Sequence, residues 1–459
     1  MLAPQSLEAE QAALGACLIE RDAIAQALEL LKEEDFYREH HKKIYKVILK
    51  LFDRGEPVDV VTVSEDLRRS GQLEECGGGE YLVSLMEACP SSANVEAYGR
   101  VVQQKSILRQ LISASEQIKG WAYQPDTEEV HTLVDRAEKK IFEIGQKQLR
   151  DGFTHIKPLL MTAYDQIERQ FQHKGDATGI PTGFYDLDNM TSGLQPADLI
   201  ILAARPSMGK TALALNIAHH VALKERHPVA VFSLEMSKEQ LVQRLVCSQA
   251  EIKSQDLRRG RVQDSDWHRI TNAVNELYQA NIFIDDSPNA STFEMRAKAR
   301  RLTAEYGQLG LIVIDYLQLA HSSGKSENRV NEISEISRAF KSMARELKCP
   351  IIALSQLSRS VEQREDKRPM LSDLRESGSI EADADIVMFI YRASYYRRKA
   401  MMKDGEIDPN AEPDPDEGVA EVIIGKHRNG PVGAVKLAFQ PEYARFGNLV
   451  RDYNGGYDD

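Results

Sequence analysis

The chain has 459 residues, 42% hydrophobic and 28% charged, which calls for two or three cores in a globular protein of ordinary composition. No apolar run approaches the ~20 residues a membrane span needs, and the opening MLAPQSLEAEQAAL lacks the basic start and apolar stretch of a secretory signal, so a cytoplasmic protein is expected. The formal net charge of -12 argues against wrapping duplex nucleic acid nonspecifically, but a channel that grips one strand depends on its local lining and backbone amides instead of the total.

The first part of the chain reads as helical. Leu14 and Leu18 sit four apart, and Ile44, Val47, Ile48 and Leu51 recur at helical spacing between charged neighbours. The run Cys76-Gly77-Gly78-Gly79 reads as a turn before a helix over 81–86. Two longer helical patterns fill 103–148, broken at Tyr123-Gln124-Pro125-Asp126. Residues 1–150 thus form a helical packing or partner-binding domain with no catalytic constellation. Residues 151–180 read as a linker in which Leu160, Tyr164, Ile167 and Phe171 make an apolar helical stripe. That stripe fits equally a groove of its own chain and one on a neighbouring subunit. Cys17, Cys76, Cys89, Cys247 and Cys349 are scattered and odd in number, the pattern of reduced thiols and not of a zinc site or disulfide framework.

From 181 to 459 the texture changes to short apolar strands alternating with helices. Strands are expected at 199–203, 229–234, 282–284, 311–314, 351–354, 386–391, 422–424 and 435–439. Apolar runs buried on both faces and separated by helices indicate an α/β domain with a mostly parallel sheet.

The strand at 199–203 runs into Ala204-Arg205-Pro206-Ser207-Met208-Gly209-Lys210-Thr211 and then a helix over 212–222, the strand–loop–helix order of a P-loop. Backbone N–H groups and the helix N-terminus hold a polyphosphate there, Lys210 reaches its β- and γ-phosphates, and the Thr211 hydroxyl binds Mg²⁺. Ala204 stands where the pattern usually has a first glycine. The strand Leu311-Ile312-Val313-Ile314 ends in Asp315, a Walker B carboxylate that steadies the metal. Glu235 ends the neighbouring strand, near the γ-phosphate, where it can orient and deprotonate the attacking water. It can also be read as a helix-start acid, but the capping box expected at Ser237-Lys238-Glu239-Gln240 leaves Glu235 free.

Together, ARPSMGKT (204–211), FSLEMS (232–237), IDYLQL (314–319), LSQLSR (354–359), DLRESGSIEADAD (373–385) and KHRNGP (426–431) closely resemble the DnaB-type replicative DNA helicases, and the resemblance covers essentially the whole chain. It implies a RecA-like motor domain following an all-α N-terminal domain and a linker helix, and a homohexamer that unwinds duplex DNA by moving 5′ to 3′ on a single strand. ATP and Mg²⁺ are the implied cofactors; primase and a helicase loader are the implied partners. Ser207, Gly209, Lys210, Thr211, Ala212 and Arg244 are implied to bind ATP, with Glu235 the catalytic base and Gln356 the γ-phosphate sensor. Arg375, Glu376, Ser377 and Gly378 resemble the DNA-contacting loop. Lys426 and Arg428 match a basic pair that reaches into a neighbouring subunit's ATP site, with His427 between them where glutamine is expected. Read from the residues, these three follow the strand at 422–424 and lie on a turn before Asn429-Gly430-Pro431.

The stretch 393–418, rich in proline and acid, reads as a disordered surface insertion. A recombination or branch-migration motor is the main competing reading, although those relatives often carry a CxxC zinc module that this chain lacks. A scaffold that only binds ATP has no need of Glu235.

Overall fold

The computed structural model describes residues 3–123, 130–146, 178–288, 290–320, 329–374, 378–404, 414 and 416–449, with 156–157, 160–161, 164 and 168. Two compact units emerge, Met1–Met161 and Thr162–Asp459. No helix among the described residues is long and apolar enough to cross a membrane.

The first unit is helical. Leu14, Leu18, Ile44, Val47, Ile48 and Leu51 all enter its core, as their spacing predicts. The core also holds a buried carboxylate, Glu10, which is costly unless paired. Glu10 accepts hydrogen bonds from the Tyr37 N–H and His41 Nδ1, both at 2.6 Å, while His41 Nε2 lies 2.7 Å from the Tyr81 hydroxyl. Gly77 takes a left-handed conformation as expected of the turn, but the helix then starts at once, as Gly78–Glu87. Two long helices close the unit, Val95–Ala122 and Val130–Gln146, with the Arg136 guanidinium 4.0 Å from the Trp121 ring. Of the linker stripe, Leu160 and Tyr164 are helical and exposed, whereas Ile167 and Phe171 lie outside the described residues.

The second unit is built on one sheet, nine-stranded among the described residues. Its strands are Leu199–Ala204 (β1), Val229–Ser233 (β2), Ile282–Asp285 (β3), Leu311–Asp315 (β4), Ile351–Gln356 (β5), Ile386–Tyr391 (β6), Val419–His427 (β7), Gly433–Gln440 (β8) and Arg445–Asn448 (β9). They lie in the order β3-β2-β4-β5-β1-β6-β7-β8-β9, parallel from β3 to β6 and antiparallel beyond. Alternate residues of β1 feed two cores, because strand side chains alternate between faces. Ile200, Leu202 and Ala204 pack with the helix Lys210–Leu223; Leu199, Ile201 and Ala203 pack with Arg329–Leu347 on the other side. This is a RecA-like α/β layer arrangement with helices on both faces.

Three expectations need correction. β7 is nine residues long instead of three, because it is a half-buried antiparallel strand in which Ala420, Val422 and Ile424 are buried and the alternate residues only partly so. β9 is absent from the expected strands; only Phe446 of its four residues is buried. The insertion does not begin as a loop: Ala393–Asp404 is a helix, and Arg397 pairs with Asp414 and Asp416 while Lys399 pairs with Glu362 at 3.0 Å. Residues 405–413 and 415 lie outside the described ones.

The topology fixes where chemistry can occur. The carboxyl ends of β1, β2, β4 and β5 share one rim of the sheet, the place where ligands bind in open parallel sheets. β7 runs the opposite way and ends on the other rim.

Candidate active site

Ala204 is the last residue of β1 and pairs with Gln356, the last of β5, so it is extended and needs none of glycine's freedom. The loop's left-handed residues come later, at Ser207 (φ 69°) and Gly209 (φ 102°). A Cβ on Gly209 would also meet the Phe446 ring at 3.0 Å and Phe439 at 3.1 Å, so only glycine fits here. The helix Lys210–Leu223 begins at the next residue, and the unpaired N–H groups of its first turn face the loop.

Lys210 and Thr211 therefore stand at the base of this loop. Thr211 Oγ1 donates to Asp315 Oδ2 at 2.7 Å, and Lys210 Nζ is 3.6 Å from Asp315 Oδ1. The second distance is an ion pair but too long for a hydrogen bond, so Oδ1 stays buried without a hydrogen-bond partner. Burial lowers the Lys210 ammonium from the usual lysine value, while Asp315 and Glu235 oppose that shift. A hydroxyl beside a carboxylate with a bare, buried oxygen fits a hard divalent cation such as Mg²⁺.

Glu235 lies in the bend after β2, exposed to the same cavity. That bend is closed by Ser233, whose Oγ donates to the Met236 carbonyl at 2.6 Å and accepts from the Met236 N–H at 3.2 Å. Ser237 occupies the N-cap position of the helix Lys238–Ala250 but makes no capping hydrogen bond, contrary to the expected box. The Lys238 N–H instead donates to Asp286 Oδ2 at 3.0 Å. Gln356 is exposed at the end of β5, and its N–H donates to Gln318 Oε1 at 3.4 Å, which joins the end of the strand beside β1 to the segment after Asp315.

Lys210, Thr211, Glu235 and Gln356 line one cavity of about 740 Å³ that also includes Ser207, Ala212 and Arg244, with Asp315 buried behind Lys210 and Thr211. Its volume suits a nucleoside triphosphate. Sequence reasoning missed Arg392 there. Its guanidinium lies 4.5 Å from the Phe439 ring centroid and donates from Nη1 to the Ser207 carbonyl at 3.2 Å, bracing the loop. Its position one residue beyond a predicted parallel strand was the available signal.

The basic motif lies elsewhere. Lys426 and His427 are not on a turn; they end β7, opposite Val387 and Ile386, and only Arg428 starts the turn. The pairing with β6 continues past a register shift at Val387/Met388, and this holds the residues in the sheet. Ile386 also pairs with Ile200, four residues before Ala204. At about 3.3 Å per residue, the motif is some 13 Å from the P-loop rim along the strands. None of the three lines the cavity of its own chain. Of the expected DNA loop, Arg375, Glu376 and Ser377 lie outside the described residues, and Gly378 opens the helix Gly378–Asp383.

Comparison with known proteins agrees with this geometry. The DnaB-like helicase C terminal domain matches residues 179–448, and the DnaB-like helicase N terminal domain matches 2–104. The chain is 53% identical to the replicative DNA helicase DnaB of Geobacillus stearothermophilus, over 98% of this chain and 96% of that one. It is 51% identical to the replicative DNA helicase DnaC of Bacillus subtilis (strain 168), over 99% and 96%. A solved DnaB-like replicative helicase, described with its interactions with primase, superposes with a TM-score of 0.75 at 36% identity, covering 97% of this chain and all of that one. With a phosphate-loop geometry, a strand-end carboxylate behind it and a candidate base in one cavity, and with relatives matched over nearly their whole length, the chain belongs to the DnaB-type replicative DNA helicases, which hydrolyse ATP to unwind DNA.

Proposed function

We propose that this helicase works as a homohexameric ring whose ATP sites lie between subunits, each completed by Lys426 and Arg428 of a neighbour. One observation carries this reading: the basic motif stands on the rim of the sheet opposite its own P-loop. Stabilising charge on a transferring phosphoryl group requires contact distance, so the motif can act only on the site of another copy.

Within each site Lys210 balances β/γ-phosphate charge, while Ser207, Gly209, Thr211 and Ala212 cradle the phosphates. Arg244 contacts the nucleotide from its helix, and His427 accompanies the basic pair. Thr211 and Asp315 would hold Mg²⁺, which supplies charge neutralisation at the phosphates when bound. Glu235 orients the attacking water and takes its proton. Gln356, joined through Gln318 to the segment after Asp315, senses the γ-phosphate. Glu235→Gln keeps the shape of the site without its base. Its expected phenotype is normal binding of ATP and DNA with turnover lowered at least about tenfold; a smaller loss in a steady-state assay would assign water activation to another group.

Arg375, Glu376, Ser377 and Gly378 are proposed to track the phosphates of single-stranded DNA, with movement 5′ to 3′. Arg375→Ala is expected to weaken single-strand binding and reduce the slope of log K against log salt by about 0.7, the loss of one phosphate contact. Basal ATPase should barely change. An unchanged slope in a salt titration would move the strand to other residues. Residues 1–150 are proposed to recruit primase and a helicase loader in the cytoplasm, and 151–180 to link them to the motor at 181–459; similarity to a helicase described with primase supports the first partner. ATP turnover with and without single-stranded DNA, followed by unwinding of a forked duplex, tests the whole reading. Turnover that ignores DNA, with no unwinding, would refute it.

A further inference from the structure

We infer that Asp385 is a positioning residue for the neighbouring subunit's ATP hydrolysis, holding Arg428 in the orientation in which it enters that site. The inference rests on the intersubunit role proposed for Arg428 and extends it to the groups that hold the arginine in place.

A long arginine left free in solvent must be ordered each time it acts, at a cost in side-chain entropy. Here the ordering is done within the subunit. Arg428 Nη1 lies 3.2 Å from Asp385 Oδ1, Nη2 donates to the Ala382 carbonyl, and the backbone N–H of Arg428 donates to the Asp385 carbonyl at 2.9 Å. The guanidinium is thus gripped from one side through two nitrogens. Its side chain nevertheless remains 39% exposed, so the far edge of the planar fork stays open to a partner.

Asp385 is itself fixed. Its side chain is 7% exposed, and Oδ2 accepts from the Leu199 N–H at 2.8 Å and from Lys341 Nζ. A carboxylate anchored to the first residue of β1 and to a half-buried ammonium cannot swing with the arginine. Burial, and then the Asp385 charge, push the nearby Asp198 carboxyl up to about 6. Lys426 is docked alongside, its Nζ donating to the carbonyls of Glu381 and Ala384 (2.9 Å for Ala384). Both basic side chains therefore rest on the segment that closes the helix Gly378–Asp383, immediately after the proposed DNA-contacting residues. Asp385 never approaches the nucleotide; it acts only through Arg428.

The variant to make is Asp385→Asn, which keeps one acceptor for the Leu199 N–H and removes the charge. In full-length rings saturated with single-stranded DNA, kcat is expected to fall by about tenfold or more with KM for ATP changed less than about threefold, since misplacing a positioned group costs mainly transition-state contact. Mixed rings separate this from a structural defect. Asp385→Asn subunits mixed with Lys210→Ala subunits should regain turnover, because the latter lend a well-held Arg428 to an intact P-loop. Mixed with Arg428→Ala subunits they should regain none, because every available finger is then absent or displaced. The opposite pattern, an unchanged kcat, a raised kcat or failure of both mixtures overturns the assignment. If Asp385→Asn does not assemble, Asp385→Glu keeps the charge but moves it by one methylene, and the same two mixtures apply with the same expected results. Failure of the control mixture of Arg428→Ala with Lys210→Ala would remove the intersubunit reading and this assignment with it. Recovery in that control confines any contrary result to Asp385.

Discussion

Lys210→Ala is expected to lose ATP turnover by on the order of a thousandfold and to lose unwinding with it. The residue opens the helix Lys210–Leu223, where alanine is well tolerated, so folding should survive. What disappears is the ammonium that stands between the phosphate cradle and Asp315, 3.6 Å from its bare oxygen. Without it, phosphate charge accumulating in the transition state lacks its counter-ion inside a partly desolvated cavity, where such interactions are strongest. Circular dichroism should report an intact fold while phosphate release falls to background. Turnover near the unsubstituted rate would sink the P-loop assignment.

The parts of this site that are legible in the sequence are those whose chemistry is local. β1, β2 and β4 are fully buried and read as unbroken apolar runs, and the P-loop follows directly from the first of them. Asp315 ends β4 and Glu235 follows β2 by two residues, so their place on the same rim follows once the sheet is known to be parallel. Other features depend on pairing across long separations. β7 is only half-buried and its alternation is broken by Gly425, so its end reads as a turn and Lys426 and His427 are misplaced by sequence alone. β9, with Arg445-Phe446-Gly447-Asn448, has too little apolar content to signal a strand, yet its Phe446 packs against Gly209 of the phosphate loop. Arg392 matters because β6 lies next to β1, and Asp385 because β6 pairs with β7; neither neighbour relation is visible along the chain. The helix Ala393–Asp404 is hidden in the sequence by the proline-rich residues that follow it.

The second large effect concerns Arg428, whose substitution separates a ring motor from a self-contained ATPase. An Arg428→Ala subunit retains its P-loop, its proposed metal ligands and its proposed base, so ATP binding should weaken only modestly. Turnover should nevertheless fall by about 10³–10⁵, the range for removal of an arginine finger, because the lost contact is made mainly in the transition state. The position of the residue makes the loss diagnostic. It lies beyond the end of β7, on the rim away from the cavity of its own chain, and is held there by Asp385 and the Ala382 carbonyl.

The most direct measurement mixes Arg428→Ala with Lys210→Ala subunits, each nearly inactive alone, and follows ATP hydrolysis across mixing ratios after subunit exchange into common rings has been confirmed with two fluorescent labels. A site completed between subunits predicts recovered turnover that peaks at intermediate ratios, because a Lys210→Ala subunit lends its arginine to the intact P-loop of an Arg428→Ala neighbour. No recovery at any ratio, with exchange confirmed, would contradict the intersubunit site.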